Sequence, residues 1–491
     1  MISSSIRTWI RKTKYWYEYA KQRQQLSFWI IYLVAIYLPF EEFFIKFTPL
    51  RGAILFLFRQ ITGELIIYAL LLKIIYESIF RGRIFRTTPL DPLFIAFIAA
   101  SFISIGVNQA SITGGLVNLR PLLRYVAVYY LIVNLEISKQ QLTLLLKSLR
   151  IICLIQSVIA CVQYFAPRSV TKFFVPRGTG VAFGGHERYM SKTKVGAAVG
   201  TIGRPAAFTT FIFIGFTVFL DNVFKKSSKF IFTRNGLLWS LVVLFGIFAT
   251  LKRASLIIIL LLPVVLLLHL GRTKKALIMG WFYAAFAFGL ALTLLSINLD
   301  GIAFSGRQAK TESIDTSSYL VQIFTPDYWE QANENSRGWT FRTVGSSVIR
   351  SGEFWFGLSP DQNFVRDALI ELNSADTLAQ QRFAVSEALE DVYWIAMFAY
   401  YGIVGLGIYF LILVRLYLAA RWLTLNSDDP DYRSLGAIFC SIILVAFVYG
   451  WIERLWEVKV FSFYFWLLAG LVINFCSAVK ETQQLAREDK L

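Results

Sequence analysis

The chain has 491 residues, of which 56% are hydrophobic and 16% aromatic, and its mean hydropathy is +0.57. Its apolar residues occur in blocks of about twenty, the length that a helix needs to cross the hydrocarbon core of a bilayer. These values exclude an ordinary water-soluble globular protein and predict an all-α, polytopic integral membrane protein. We attribute the formal net charge of +18 to cytoplasmic loops and contact with the lipid bilayer rather than to nucleic-acid binding.

Twelve membrane-spanning helices are predicted from the apolar blocks. They lie near residues 26–44, 53–76, 92–107, 121–136, 143–166, 206–223, 237–251, 255–270, 276–297, 392–418, 434–451 and 460–478. The first block is followed by no small-residue cleavage site, so we expect the first helix to act as the insertion signal.

Basic residues occur in every second connection between these blocks. Because short cytoplasmic loops are enriched in Lys and Arg, this alternation predicts an even number of spans with both termini in the cytoplasm. The predicted organisation is a basic N-terminus (1–25), nine spans (26–297), an extracytoplasmic loop domain (298–390), three further spans (391–478) and a cytoplasmic tail (479–491).

Arg59 and Glu64 lie inside the second predicted span. Ionisable residues at such depth commonly mark a transport path or a proton relay, which keeps a small-solute transporter open as a function. A structural ion pair is the other interpretation. The Gly/Pro-interrupted helices in matching halves that are typical of transporters are not evident in the sequence. A non-catalytic assembly subunit for polysaccharide export is a third possibility.

The predicted outer loop 167–205 is basic, although outer loops usually are not. Its charged residues include Arg188 and Arg204, and it also contains His186. Such a loop is expected where an anionic ligand binds outside the membrane.

The run FGIFATLKRASLIIILLL, Phe245 to Leu262, carries Lys252 and Arg253 in its middle. At the centre of one span each cation would cost about 2.5–3.5 kcal/mol. We therefore predict two helices that meet at a tight turn, Thr250 to Ser255, at the outer water interface. Arg253 is then either a snorkelling interfacial side chain or part of an outer site.

The ninth and tenth spans are joined by about ninety residues, a length that usually indicates separate structure and a function. Within this loop a helix is predicted from Asn335 or Ser336 through Ile349, followed by turns at Gly352 and Gly357.

Three acidic residues, Glu387, Glu390 and Asp391, precede the tenth span. Neighbouring carboxylates raise one another's pKa, which suits one of them to act as a general base. On the alternative interpretation they complement the dipole of the helix that follows.

SRGWTFRTVGSSVIRSGEFWFGLSP, followed by EDVYWIAMFAYYGIVGLGIYFLIL, resembles the O-antigen ligase and polymerase superfamily. Its members are bacterial membrane enzymes that move glycans from a lipid carrier on the outer face of the cytoplasmic membrane. Four features of the family have matches here. Its loop arginine matches Arg337, its glycine turn matches Gly357, and its acidic residue before a helix matches Asp391. The glycine pair within that helix matches the run 402–405. GRPAAFT and TLKRASLI are similar to the family's arginine-led start of a central span and to its turn between two helices.

The resemblance implies a GT-C-like, inverting glycosyltransferase that uses an oligosaccharide linked to polyprenyl (undecaprenyl) pyrophosphate. Guanidinium groups stay charged and bind phosphate oxygens in pairs, which favours Arg204 and Arg253 as the catalytic clamp on the diphosphate. Ligases of this superfamily are thought to use a histidine as proton acceptor, but the matching residue here is Asp391. His186 in the basic loop is an alternative base or an exposed loop residue.

Further residues are expected to bind the donor or the glycan acceptor: His186, Arg188, Lys252, Arg337, Arg342, Glu387 and Glu390. No metal-ligand spacing occurs, so we expect the arginines to act without a metal or a cofactor. The aspartate and the basic outer loop, which offers a place for a second pyrophosphate, favour a polymerase. A ligase that transfers glycan to a lipid A core is the alternative. A flippase and a chain-length regulator are the protein partners that such a polymerase implies.

Overall fold

The computed structural model describes residues 25–47, 52–81, 85–165, 173, 198–226, 234–250, 255–271, 337–374, 389 and 392–488. Within these residues the regular secondary structure is helical. The helices are α1 (Gln25–Lys46, with a 3-10 turn at Leu38–Phe40), α2 (Gly52–Arg81), α3 (Asp91–Val107), α4 (Ile112–Leu123), α5 (Val126–Val133), α6 (Lys139–Phe165), α7 (Pro205–Lys226), α8 (Arg234–Phe248), α9 (Ser255–His269), α10 (Arg337–Arg350), α11 (Gln362–Leu372), α12 (Tyr393–Asn426), α13 (Pro430–Tyr449) and α14 (Lys459–Glu488).

Among the described residues, six helices are long and apolar enough to cross a membrane, namely α1, α6, α7, α12, α13 and α14. Helices α4 and α5 together form a seventh candidate, which is bent by 47° at its break. The chain is therefore a helical membrane protein. A helix lies at each predicted block apart from 276–297, which is outside the described residues, and the count of twelve spans stays a prediction.

The fourth predicted span is wrong at its start. The helix begins at Ile112 rather than near residue 121, because the Ser111 hydroxyl caps it by accepting a hydrogen bond from the Gly114 N–H at 3.2 Å. Pro121 lies inside α4, near the break that separates it from α5. Residues 112–120, predicted as a connection, form a helix that together with α5 has the length and composition of a broken span or a re-entrant segment.

Helices α7 and α14 form the centre of the bundle, and nearly all of their membrane-spanning side chains are buried. Helix α14 packs against α5, α7 and α12, while α13 packs against α9 and α12. Aromatic rings fill much of this core, because large rings bury the most apolar surface per residue. Trp456 contacts Tyr393 and Trp394 at centroid distances of 4.9 and 5.0 Å.

Ion pairs hold one end of the bundle together. Lys139, which begins α6, donates to Asp429 at 2.6 Å, and Lys225 near the end of α7 donates to Asp431 at 3.2 Å. Since Asp431 lies in the first turn of α13, α7 and α13 run antiparallel. Helix α7 therefore begins at the opposite end of the bundle, where α13 ends.

We call that opposite end the loop end. It is defined by Pro205, where α7 begins, Tyr449, where α13 ends, and Tyr393, where α12 begins. The Tyr393 N–H donates to the Gly450 carbonyl at 3.0 Å, which joins the start of α12 to the end of α13.

Candidate functional site

Of the residues predicted to form the site, the side chains of Arg204 and Arg342 are described. Arg337 begins α10, but its side chain is outside the described set. The others lie outside the described residues: His186, Arg188, Lys252, Arg253, Glu387, Glu390 and Asp391. Their roles stay predictions.

Arg204 lies at the loop end, directly before Pro205, the first residue of α7. Proline suits this position because its ring fixes a helical φ and the first helical N–H needs no partner within the helix. The Arg204 carbonyl accepts the first helical hydrogen bond, from the Phe208 N–H at 2.9 Å. Its side chain is exposed, so this helix start presents a cation at the loop end.

The segment before Arg204 is fixed by side chains of α6 and by α1. Gln163 Oε1 accepts hydrogen bonds from the Val199 and Gly200 N–H groups at 2.9 and 2.8 Å, and its Nε2 donates to the Gly200 carbonyl at 2.8 Å. The Thr201 hydroxyl donates to the Pro39 carbonyl at 2.7 Å. The position of Arg204 is thus set by buried hydrogen bonds from α6 and α1.

Helix α12 is broken at Gly402, whose φ of 62° and ψ of −167° are not helical. The break frees backbone groups, and the segment Phe354–Leu358 binds them. The Ile403 N–H donates to the Phe354 carbonyl at 2.9 Å, and the Leu358 N–H donates to the Ala399 carbonyl at 2.7 Å. These hydrogen bonds join the loop after α10 directly to the backbone of a membrane-spanning helix.

Two glycines make this contact possible. Gly357 has a φ of 73°, and a Cβ built on it would lie 2.5 Å from the Gly402 amide nitrogen. A Cβ built on Gly402 would lie 2.3 Å from the Trp355 carbonyl oxygen. A side chain at either position would therefore separate the two backbones.

The same loop is also bound to α3 and α4. The Asn108 amide at the end of α3 donates to the Gly357 carbonyl at 2.9 Å. Asp361 caps α11 by accepting a hydrogen bond from the Asn363 N–H at 3.0 Å. Its carboxylate also packs closely on Gly114 of α4, and a Cβ built on Gly114 would clash with it. Helices α10 and α11 are consequently held over the loop end of α3, α4 and α12.

Arg342 lies on α10 and its side chain is exposed. Helix α10 packs on α12, so the described neighbours of Arg342 lie at the loop end. Val392, which follows Asp391, is buried at the start of α12, so the described neighbour of Asp391 lies at the loop end as well. The start of α7 with Arg204 lies at this end too.

A second set of charged side chains lies around the break between α4 and α5, and we call Glu41, Glu64, Arg120, Arg124 and Lys459 the ion cluster. The Arg120 guanidinium donates from Nε and Nη2 to Glu64 Oε2 at 3.0 and 2.7 Å. Arg124 Nη1 lies 3.6 Å from Glu64 Oε1, and Lys459 Nζ donates to Glu41 Oε1 at 2.7 Å. Glu41 and Glu64 are each only 2% exposed, so pairing is what makes burial of these charges tolerable.

The ion cluster lies at the break between α4 and α5, where Arg124 is the C-cap of α4. Arg124 Nη2 also donates to the Glu457 carbonyl at 2.6 Å. Residues of α1, α2, α4 and α14 therefore meet around one broken helix.

Sequence reasoning identified Glu64 but not its partners. Arg120 and Arg124 flank Pro121, in and beside a segment expected to be an outer connection. Outer connections seldom carry Lys or Arg, so these two cations were a signal that the segment is not an ordinary outer loop. The pair of Glu41 with Lys459 spans 418 residues, and no local pattern relates them. The side chain of Arg59 is outside the described set.

Among the residues that the structure describes, no group of three or more His, Cys, Asp or Glu side chains is arranged to hold a metal ion. The sequence matches no model of a protein family, and a search of curated proteins finds no relative. The resemblance described above therefore depends on the motif residues themselves.

Proposed function

We propose that the protein is a glycan polymerase of the GT-C-like kind, embedded in the bacterial cytoplasmic membrane with its site on the outer face. It transfers an oligosaccharide from polyprenyl pyrophosphate to a hydroxyl of a second carrier-linked repeat unit. The loop end is the extracytoplasmic end in this proposal, and both termini are cytoplasmic.

The contact between Gly357 and Gly402 is the observation that supports this proposal most. Both glycines belong to the residues on which the resemblance depends, and they are far apart in sequence. The contact joins the loop helix that begins with Arg337 to the span that follows Asp391, which a site shared by these residues requires.

The proposed chemistry is a single displacement. The acceptor hydroxyl attacks the anomeric carbon, a new C–O bond forms, and the bond to the carrier diphosphate breaks with inversion of configuration. The hydroxyl proton passes to Asp391, and polyprenyl diphosphate leaves. Arg204 and Arg253 bind the diphosphate and stabilise the charge that develops on it, because preorganised cations in a partly dry site lower the barrier most where charge develops.

The surrounding polar residues bind the two substrates. In this role we propose Arg337, Arg342, Arg188, Lys252, His186, Glu387 and Glu390. The exposure of Arg342 and the fixed position of α10 over α12 support its access to a glycan.

Reconstitution of the full chain with a carrier-linked repeat unit tests the proposal. A ladder of glycans that grows in steps of one repeat unit is expected, and EDTA should leave turnover unchanged. Transfer only to a separate lipid A core acceptor would replace the polymerase with the ligase.

A small-solute transporter is the second candidate, and the ion cluster is the observation that favours it. Buried charges beside a discontinuous helix are typical of ion and substrate paths in transporters. Solute uptake into liposomes without glycan transfer would establish the transporter instead.

A further inference from the structure

Arg120 occupies an unusual position for a charged residue. Its side chain is 45% exposed although it is bound to Glu64, which is 2% exposed. It shares one face of α4 with Ile112 and Leu116, which are 61% and 45% exposed, and Tyr68 of α2 lies near the same charges. An exposed apolar face of this kind is suited to contact lipid in a membrane protein, and the Arg120 side chain is exposed on that face.

Among the described side chains at this position, the charges are unequal. Glu64 is one carboxylate shared between two guanidinium groups, Arg120 at 2.7 Å and Arg124 at 3.6 Å. The three side chains together carry one net positive charge. Arg124 is 8% exposed, and its buried Nε has no hydrogen-bond partner among the residues that the structure describes.

We propose that Arg120 and Arg124, rather than the basic loop 167–205, form a binding site for the diphosphate of a second polyprenyl carrier, the one that bears the acceptor glycan. The site accepts this lipid laterally from the bilayer. The inference deepens the proposed function and rests on it, because only a polymerase needs two carrier lipids at once.

The chemistry of the site suits an acceptor rather than a donor. The acceptor keeps its bond to the carrier during transfer, so no charge develops on its diphosphate. Glu64 can therefore remain beside the arginines, where it orients Arg120 through two hydrogen bonds to one oxygen. At a donor site a carboxylate bound to the same guanidinium groups as the diphosphate would oppose the negative charge that builds on the leaving group.

A diphosphate fits the site better than the headgroup of an ordinary phospholipid. Two guanidinium groups offer paired N–H donors to several phosphate oxygens, and a diphosphate carries more negative charge than a phosphodiester. We therefore expect anionic phospholipid to compete only weakly.

The test counts bound carrier on the purified full chain. Native mass spectrometry with undecaprenyl diphosphate should show two equivalents on the wild type and one on Arg120→Gln. Binding at the lost site should weaken about tenfold or more, because charge-assisted hydrogen bonds are removed. Arg120→Lys keeps the charge and should bind with intermediate affinity. Arg433→Gln, an exposed arginine at the end of the bundle away from the loop end, is the matched control and should bind two equivalents.

A photoreactive undecaprenyl diphosphate tests the site in the wild type without any substitution. Cross-links to α4 between Ile112 and Leu123 are expected, and their absence would overturn the inference. Unchanged binding by Arg120→Gln would overturn it too, as would full competition by phosphatidylglycerol.

The number of undecaprenyl diphosphate molecules bound to each protein also distinguishes failure of this inference from failure of the proposed function. One equivalent on the wild type and none on Arg120→Gln would support the arginine site and count against a donor site at Arg204. Two equivalents on both proteins would leave the proposed function intact and remove the arginine site.

Discussion

Gly357 and Gly402 lie so close together that a Cβ on Gly357 would come within 2.5 Å of the Gly402 amide nitrogen. One glycine belongs to the loop after α10 and the other to the break in α12. Their contact fixes the loop after α10 to a membrane-spanning helix through backbone hydrogen bonds on both sides of Gly402.

Gly402→Ala should destabilise the protein by at least about 1–3 kcal/mol, the cost of a non-glycine residue in this backbone region. The clash with the Trp355 carbonyl adds to that cost. Thermal unfolding of the purified protein measures the effect. Gly407→Ala in the same helix is the matched control, since its added methyl group meets nothing within 4 Å and alanine favours a helix by about 1 kcal/mol. Equal losses in the two variants would contradict this account of Gly402.

Glu64→Gln should destabilise the protein by about 3–5 kcal/mol, because it leaves the buried Arg124, and Arg120 beside it, without their carboxylate. Asp367→Asn is the control. It removes one partner of an exposed ion pair of 2.9 Å with Arg366, and exposed pairs contribute at most about 1 kcal/mol.

The double variant Glu64→Gln with Arg120→Gln tests the cause of that loss. Removing one unpaired cation should restore part of the stability, so the double variant should unfold at a higher temperature than Glu64→Gln alone. Additive losses would show that the two side chains do not stabilise each other.

Asp429 is expected to make stability depend on pH at the end of the bundle away from the loop end. Burial raises the pKa of the Asp429 carboxyl, but the hydrogen bond from Lys139 and the backbone N–H groups of Asp431 and Tyr432 outweigh burial and hold the pKa below its ordinary 3.8. The folded protein therefore binds the proton less readily than the unfolded chain. The stabilisation is complete above the unfolded pKa and is lost as the pH falls through the folded value.

Asp429→Asn isolates this charge, because asparagine also caps a helix well. The difference in Tm between wild type and Asp429→Asn should be present at pH 7 and shrink below about pH 4. Asp428→Asn changes the exposed neighbour and should show little difference at any pH. A constant difference for Asp429→Asn would contradict a role for its charge.

Arg204→Gln, Arg253→Gln and Asp391→Asn should each abolish glycan transfer, since each removes a group that holds the leaving diphosphate or accepts the proton. Loss of one oriented charge of this kind typically costs about 10²–10³ in kcat. Product analysis after reconstitution measures the loss, and circular dichroism checks that each variant remains folded. Arg433→Gln is the control and should retain transfer. Activity in all three variants would remove this site assignment.

Hydropathy and loop charge predicted most of the helices, because a membrane-spanning helix is marked by a local run of apolar residues. The helix Arg337–Arg350 was also predicted from local signals, a cap and the turn glycines that follow it. The start of α4 was not, since residues 112–120 mix glycine, asparagine and arginine with apolar residues and read as a loop. The cap at Ser111 is a local signal for this helix that the hydropathy pattern does not show.

The contacts that build the loop end could not be predicted in the same way. Arg120 and Glu64 are 56 residues apart, and Asn108 binds Gly357 across 249 residues. Such pairs form only after the helices pack. The sequence shows the charged residue or the glycine but not the residue that it contacts. The resemblance identified Gly357 and Gly402 as important but not that they touch.

Cross-linking of paired cysteines tests most directly whether Arg204 and Asp391 share one site at the loop end. A short bismaleimide should link Arg204→Cys to Asp391→Cys in the folded protein. It should not link Lys225→Cys to Asp391→Cys, because Lys225 lies at the far end of α7, a helix of 22 residues and about 33 Å. Absence of the first link, or formation of the second, would contradict the proposed site.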